Sequence, residues 1–115
     1  MKAVLVDPYK GTIENVEVSD YRDISKHLQC DMFCSGGYDE GGDAIYVNDE
    51  GLYTEDMFVY IPDVYPYPYA GRVLFLGINR DNGESQDAWL DDVDVADMDH
   101  RFMHRMDVQR MGIVV

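Results

Sequence analysis

The run Val73-Leu74-Phe75-Leu76 inside residues 72–78 constrains this chain more than any other segment. It is continuously apolar, follows Gly71, and gives way to the turn signal Asp81-Asn82-Gly83. Asn-Gly is the favoured pair of a tight hairpin turn. A short apolar run between turn residues reads as a strand, here one at the centre of a sheet. Its neighbours have the same form. Residues 2–6 read as a first strand ended by Asp7-Pro8, and residues 12–18 as its antiparallel hairpin partner. Residues 43–48 and 57–61 add two more strands, the latter stopped by Pro62.

Other segments are less regular. Residues 20–29 predict a helix, with Ser19 and Asp20 as N-cap residues, Asp23 in the first turn, and Tyr21, Ile24 and Leu28 on one face. Cys30 to Cys34 reads as a short strand, followed by a flexible loop in which Ser35-Gly36-Gly37 and Gly41-Gly42 bracket Asp39-Glu40. Asp49-Glu50-Gly51 predicts a turn, in which Gly51 is able to take positive φ. Tyr65-Pro66-Tyr67-Pro68-Tyr69 reads as an extended connector, able to pair only at a sheet edge. Residues 86–90 are expected as a returning strand and residues 94–104 as a helix with Val95, Met98, Phe102 and Met106 on one stripe. Residues 111–115 are expected as a terminal strand. Together these predict an α+β domain over residues 1–115: a mostly antiparallel sheet of about 5–7 strands with two short helices.

Composition enters through charge. The chain has 115 residues and carries 23 acids against 9 bases, for a formal net charge of −14. Small domains ordinarily carry a net charge of magnitude about 2–8. At 46% apolar residues, with nine Tyr and four Phe, it is not a disordered acidic tail. The acids therefore sit on a folded scaffold. So large an excess disfavours direct contact with DNA, RNA or anionic lipid, because phosphate contacts need Lys and Arg. It favours a basic partner.

The acids are also unevenly placed. The 45 residues from His27 to Gly71 contain nine acids and no Lys or Arg. The run from Glu84 to Asp99 contains seven acids and no base. Carboxylates along a strand face or at helical i, i+3 spacing stand a few ångströms apart, on the scale of duplex phosphates. Asp91, Asp94 and Asp97 have that spacing if a helix starts early. These runs predict a non-enzymatic inhibitor that mimics nucleic acid and occupies the cationic site of a nucleic-acid-binding protein. The carboxylates nominated are Asp39, Glu40, Asp43, Asp49, Glu50, Glu55, Asp56, Asp87, Asp91, Asp92, Asp94, Asp97 and Asp99. Mimicry requires them to form one continuous face. A competing reading makes the acid a solubility charge and the tyrosines Tyr65, Tyr67 and Tyr69 the anchor of a protein-binding module. The sequence leaves open whether the chain also forms a homodimer.

Chemistry is less well supported. Cys30-x3-Cys34 and His100-x3-His104 supply four zinc-type ligands, a weaker metal-binding alternative, but the pairs are 65 residues apart and neither has a finger spacing. Asn79 to Glu84 does not satisfy a calcium loop, since the twelfth position from Asn79 is Leu90. The glycine pairs lack the Gly-Lys-Ser/Thr of a phosphate loop. No triad or carboxylate pair stands out, so no catalytic residue and no cofactor is assigned. Two cysteines make no disulfide framework, and the apolar run at the N-terminus spans at most five residues, too short for a signal peptide. No membrane association and a cytoplasmic location are the expectations.

Three motifs carry a resemblance: Val4-Leu5-Val6-Asp7-Pro8, Asn48-Asp49-Glu50-Gly51-Leu52, and Tyr69-Ala70-Gly71-Arg72-Val73-Leu74-Phe75-Leu76-Gly77. Over roughly residues 2–92 the chain resembles a family of small uncharacterised bacteriophage and mobile-element proteins with no assigned activity. The resemblance implies no catalytic residues. By analogy it implies a phage-encoded inhibitor of host defence, such as a restriction or CRISPR complex.

Overall fold

The computed structural model describes residues 1–115 and confirms an α+β architecture built on antiparallel pairing. Strand β1 (Lys2–Asp7) pairs with β2 (Thr12–Glu17) as the expected hairpin. Helix α1 (Tyr21–Leu28) follows, with the Asp20 carboxylate accepting from the Arg22 amide as N-cap. Strands β3 (Phe33–Tyr38) and β4 (Asp43–Asn48) form the next hairpin. After the one-turn helix α2 (Gly51–Thr54) come β5 (Met57–Tyr60), β6 (Tyr69–Ala70), β7 (Val73–Ile78) and β8 (Ser85–Gln86). Helix α3 (Asp92–Asp97), strand β9 (Arg101–His104) and helix α4 (Arg105–Arg110) complete the chain. No helix is long and apolar enough to cross a membrane.

The main sheet has the order β2-β1-β7-β4-β3, with β8 pairing the far end of β7. Strand β7 is central, as its apolar run predicts. Val73 and Phe75 point to one face, with Val4, Val6, Ile45, Val59 and Ile61, while Leu74 and Leu76 point to the other, with Ala3, Leu5, Val18, Ile24 and Leu28. Burial on both faces is why the run does not alternate. Each of the larger side chains among these contributes about 1.5–3 kcal/mol by leaving water. Helix α1 covers one face with Ile24 and Leu28, while its Tyr21 stays exposed. A second sheet of order β6-β5-β9 packs on the other face through Val59 and Tyr69. Its reverse side buries Phe58, Ala70, Met103 and Val108 with α4.

Several local expectations are corrected. The helix expected over 94–104 stops at Asp97, and Phe102 and Met103 instead pair in register with Val59 and Phe58 of β5. Cross-strand burial there outweighs the helical spacing of Val95, Met98 and Phe102. Residues 111–115 form no strand, because α4 intervenes and Gly112 turns the chain at φ 84°. Ser35-Gly36-Gly37 lies within β3 as a bulge, not in a loop. A Cβ on Gly36 would stand 2.8 Å from the Tyr69 ring, so the glycine is there to admit that ring. Residues 49 and 50 turn the chain as expected, and Gly51 begins α2 without a positive φ. The returning strand shortens to two residues, and four short helices are present in place of two.

Candidate functional site

The segment after β8 is held by one buried carboxylate and two at the surface. Asp43, only 1% exposed, accepts the amides of Trp89 at 2.7 Å and Leu90 at 3.1 Å. The Lys2 amide donates to Asp87 at 2.8 Å, the Lys2 ammonium pairs with Asp91, and Ala88 is buried beneath. These contacts fix the backbone of Trp89 while its indole stays 77% exposed. The ring lies on Gly41, where a Cβ would stand 2.9 Å from its Cδ1. An exposed indole is costly to leave in water and is typical of interface anchors. Sequence reading passed over Trp89. The one available signal was a lone Trp within the second acidic run.

Gly41 also joins two concavities. On one side it borders a cleft of about 330 Å³ with Arg80, Asp87 and Trp89. On the other it borders a cavity of about 370 Å³ with Glu40, Asp63 and Met98. Met98 caps the C-terminus of α3. The two base-free runs thus meet along one stretch of surface, from Asp87 past Trp89 and Glu40 to α3.

The nominated carboxylates divide by role. Asp39, Asp43 and Glu55 are buried. Asp39 Oδ1 accepts the Asp43 amide at 3.0 Å, and burial, with Asp43 nearby, raises the Asp39 carboxyl above its ordinary pKa. Glu55 accepts from the Tyr9 hydroxyl at 3.2 Å, while its carbonyl and that of Leu52 take the Arg105 guanidinium. These three are structural and offer no charge to a surface. Asp91 and Asp94 close a capping box at the start of α3, and Asp92 exchanges contacts with Asn15. They remain at the surface but are partly occupied. Glu40, Asp87, Asp97 and Asp99 are exposed, and Met98, between Asp97 and Asp99 in the chain, shares a cavity with Glu40. Asp49, Glu50 and Asp56 are exposed in a separate group flanking α2, where Arg105 is anchored.

The tyrosines are equally unlike. Tyr69 is buried, donates to the Gly36 carbonyl at 2.8 Å, and has its phenol pKa raised by burial. Tyr65 stacks on it at 5.0 Å between centroids, and Tyr67 meets Tyr65 edge-on at 5.9 Å. Only Tyr65 and Tyr67 present substantial surface. The segment is largely a cover over the core.

The zinc-type pairs do not come together. Cys30 and Cys34 are half-buried, and burial raises both thiol pKa values, helped at Cys34 by the Asp49 carboxylate. That shift opposes the thiolate a metal or a nucleophilic reaction needs. His100 is bonded through Nδ1 to the Met98 carbonyl and rests against Phe102, while His104 ends β9 exposed. No three His, Cys, Asp or Glu side chains are grouped to hold an ion.

A family model described as a domain of unknown function, DUF3846, matches residues 1–102. No curated protein and no solved structure matches the chain.

Proposed function

The chain belongs to the DUF3846 family, whose description assigns no activity, and we propose that it is a non-enzymatic docking module that occupies a cationic surface of a nucleic-acid-binding protein. The observation that carries this reading is the exposed indole of Trp89, its backbone held by Asp43, on the stretch where the two base-free acidic runs meet. The indole supplies a desolvated anchor, and the carboxylates around it supply steering and register. Association with a basic partner is then fast and salt-sensitive. The finer version makes the chain a phage-type inhibitor of a restriction or CRISPR complex. Its support is the charge and the sequence resemblance alone. The competing reading, a module anchored by tyrosines, loses Tyr69 to the core.

The test is capture from a host lysate at low and high salt, with partners identified by mass spectrometry and duplex DNA as competitor. The expected partner is a nucleic-acid-binding protein released by salt and displaced by DNA. Trp89→Ala, combined with Glu40, Asp97 and Asp99 each changed to Lys, is expected to abolish capture. Undiminished capture by that variant refutes the docking face.

A further inference from the structure

The main sheet ends in β2 on one side and in β3 on the other, and only the β2 edge is guarded. Glu14 and Glu17 lie in β2, His27 meets the Glu17 carbonyl at 2.8 Å, and the Asp92 amide donates to the Asn15 side chain. Charged side chains and covering segments are how sheets keep an edge from pairing with another chain. Strand β3, Phe33-Cys34-Ser35-Gly36-Gly37-Tyr38, has neither charge nor proline. The Asp49 amide donates to the Met32 carbonyl at 3.0 Å, so the hydrogen-bonded pairs with β4 fall at Met32 and Cys34. Antiparallel pairs alternate. The N–H and C=O groups of Phe33 and Ser35 therefore point away from β4, and no other backbone segment bonds to them.

A groove of about 280 Å³ lies beside this edge. Cys34 and Gly36 of β3 and Val47 of β4 line it, together with Leu52, Tyr65 and Pro68 from the segments that follow. Asp49, two residues beyond Val47 and so on the same face, also lines it, with its carboxylate beside the Cys34 thiol. We infer that β3 accepts an extended peptide segment of a partner protein as a further antiparallel strand, which sets an apolar side chain in this groove between two basic residues. Phe33 and Ser35 exchange backbone hydrogen bonds with two residues of the incoming strand. The residue between those two faces Cys34, and its side chain projects onto the groove. Charge selects the flanking residues. Asp31 before β3 and Glu40 after it are exposed, Asp49 lies in the groove, and no Lys or Arg occurs from His27 to Gly71. Side chains two positions either side of the apolar one share its face, about 6.8 Å away, within reach of these carboxylates for Arg or Lys. A second copy of this chain fits less well. Antiparallel pairing of two β3 strands brings Asp31 of one copy toward Glu40 of the other, and like charges facing across strands are destabilising. The inference does not rest on the docking face above, since neither Trp89 nor α3 takes part.

The probe is the peptide acetyl-Arg-Thr-Leu-Thr-Arg-amide, titrated against the isotope-labelled full chain and followed by its amide resonances. The expected result is saturable binding in roughly the millimolar range, with the Phe33 and Ser35 amides moving downfield and gaining protection from hydrogen exchange. N-methylation of both peptide threonines removes the donors that face β3 and is expected to weaken binding about tenfold or more. N-methylation of the leucine, whose N–H faces away from β3, is expected to leave it within about twofold. The peptide with Glu in place of both Arg is expected not to bind, and the one with Ser in place of Leu to bind more weakly. Ser35→Pro removes an outward N–H and is expected to abolish binding. Leu52→Lys changes an exposed groove residue without touching the sheet and is expected to weaken it. Equal binding of the threonine-methylated or the Glu peptide, resonance changes centred away from β3 and the groove, or no binding to a monomeric chain overturns the inference. So does a chain that dimerises in sedimentation equilibrium, loses the dimer on Ser35→Pro and ignores the peptide, because β3 then serves a second copy.

Discussion

Replacing Asp43 with Ala removes the carboxylate that ties two parts of the molecule together. Asp43 sits at the start of β4, and its two oxygens accept the amides of Trp89 and Leu90, 46 and 47 residues away. Hydrogen bonds to a charged acceptor contribute about 1.5–3 kcal/mol each. Both amides belong to residues that are not fully buried, so water replaces part of the loss and the lower figure applies. Two bonds give a destabilisation of about 3 kcal/mol. With a urea dependence of about 2 kcal/mol per molar for a domain of this size, the midpoint falls by about 1.5 M. Urea unfolding followed by circular dichroism measures that shift. Asp43→Asn keeps one acceptor oxygen and is expected to fall between the parent and the Ala variant. Trp89 is the only tryptophan, so its fluorescence anisotropy reads the same linkage locally and is expected to drop in Asp43→Ala under native conditions. A midpoint within about 0.3 M of the parent, or unchanged anisotropy, refutes the claim that Asp43 is what positions the indole.

Other outcomes follow from the same contacts. Asp39 has a raised pKa in the folded chain; below the ordinary carboxylate range both folded and unfolded states are protonated, and as pH rises through the window up to the folded pKa the folded state loses stability. Asp39→Asn does not titrate, so its stability relative to the parent is expected to increase across that window, read as the difference in urea midpoints at pH 3.5 and pH 7. Gly36→Ala places a Cβ 2.8 Å from the buried Tyr69 ring and is expected to cost about 1–3 kcal/mol, measured by thermal unfolding. Cys30 and Cys34 have thiol pKa values raised by burial, so both are expected to react with iodoacetamide at pH 8 more slowly than free cysteine does. Faster labelling contradicts the buried, acid-flanked environment.

The strands β1, β4 and β7 are legible in the chain because their apolar runs are short, dense and bounded by residues that turn the backbone. Helix α1 is legible because its cap and its buried Ile24 and Leu28 lie within one local stretch. Residues 94–104 are not. Val95, Met98 and Phe102 satisfy a helical spacing, yet Phe102 is taken by Val59, a partner 43 residues distant that no local pattern reveals. The same holds for the acids. Asp39, Asp43 and Glu55 read like every other carboxylate in the base-free stretch, and only packing turns them inward.

The sequence by itself therefore determined the fold class, the central strand, and the concentration of negative charge in two runs, because these depend on residue type and near neighbours. Tertiary structure decided which carboxylates hold the backbone and which face solvent. It also decided that Tyr69 belongs to the core and that the backbone of Trp89 is tied to buried Asp43 while its ring stays at the surface. Those outcomes depend on desolvation and on hydrogen bonds between segments more than forty residues apart, which exist only once the sheet has closed over them.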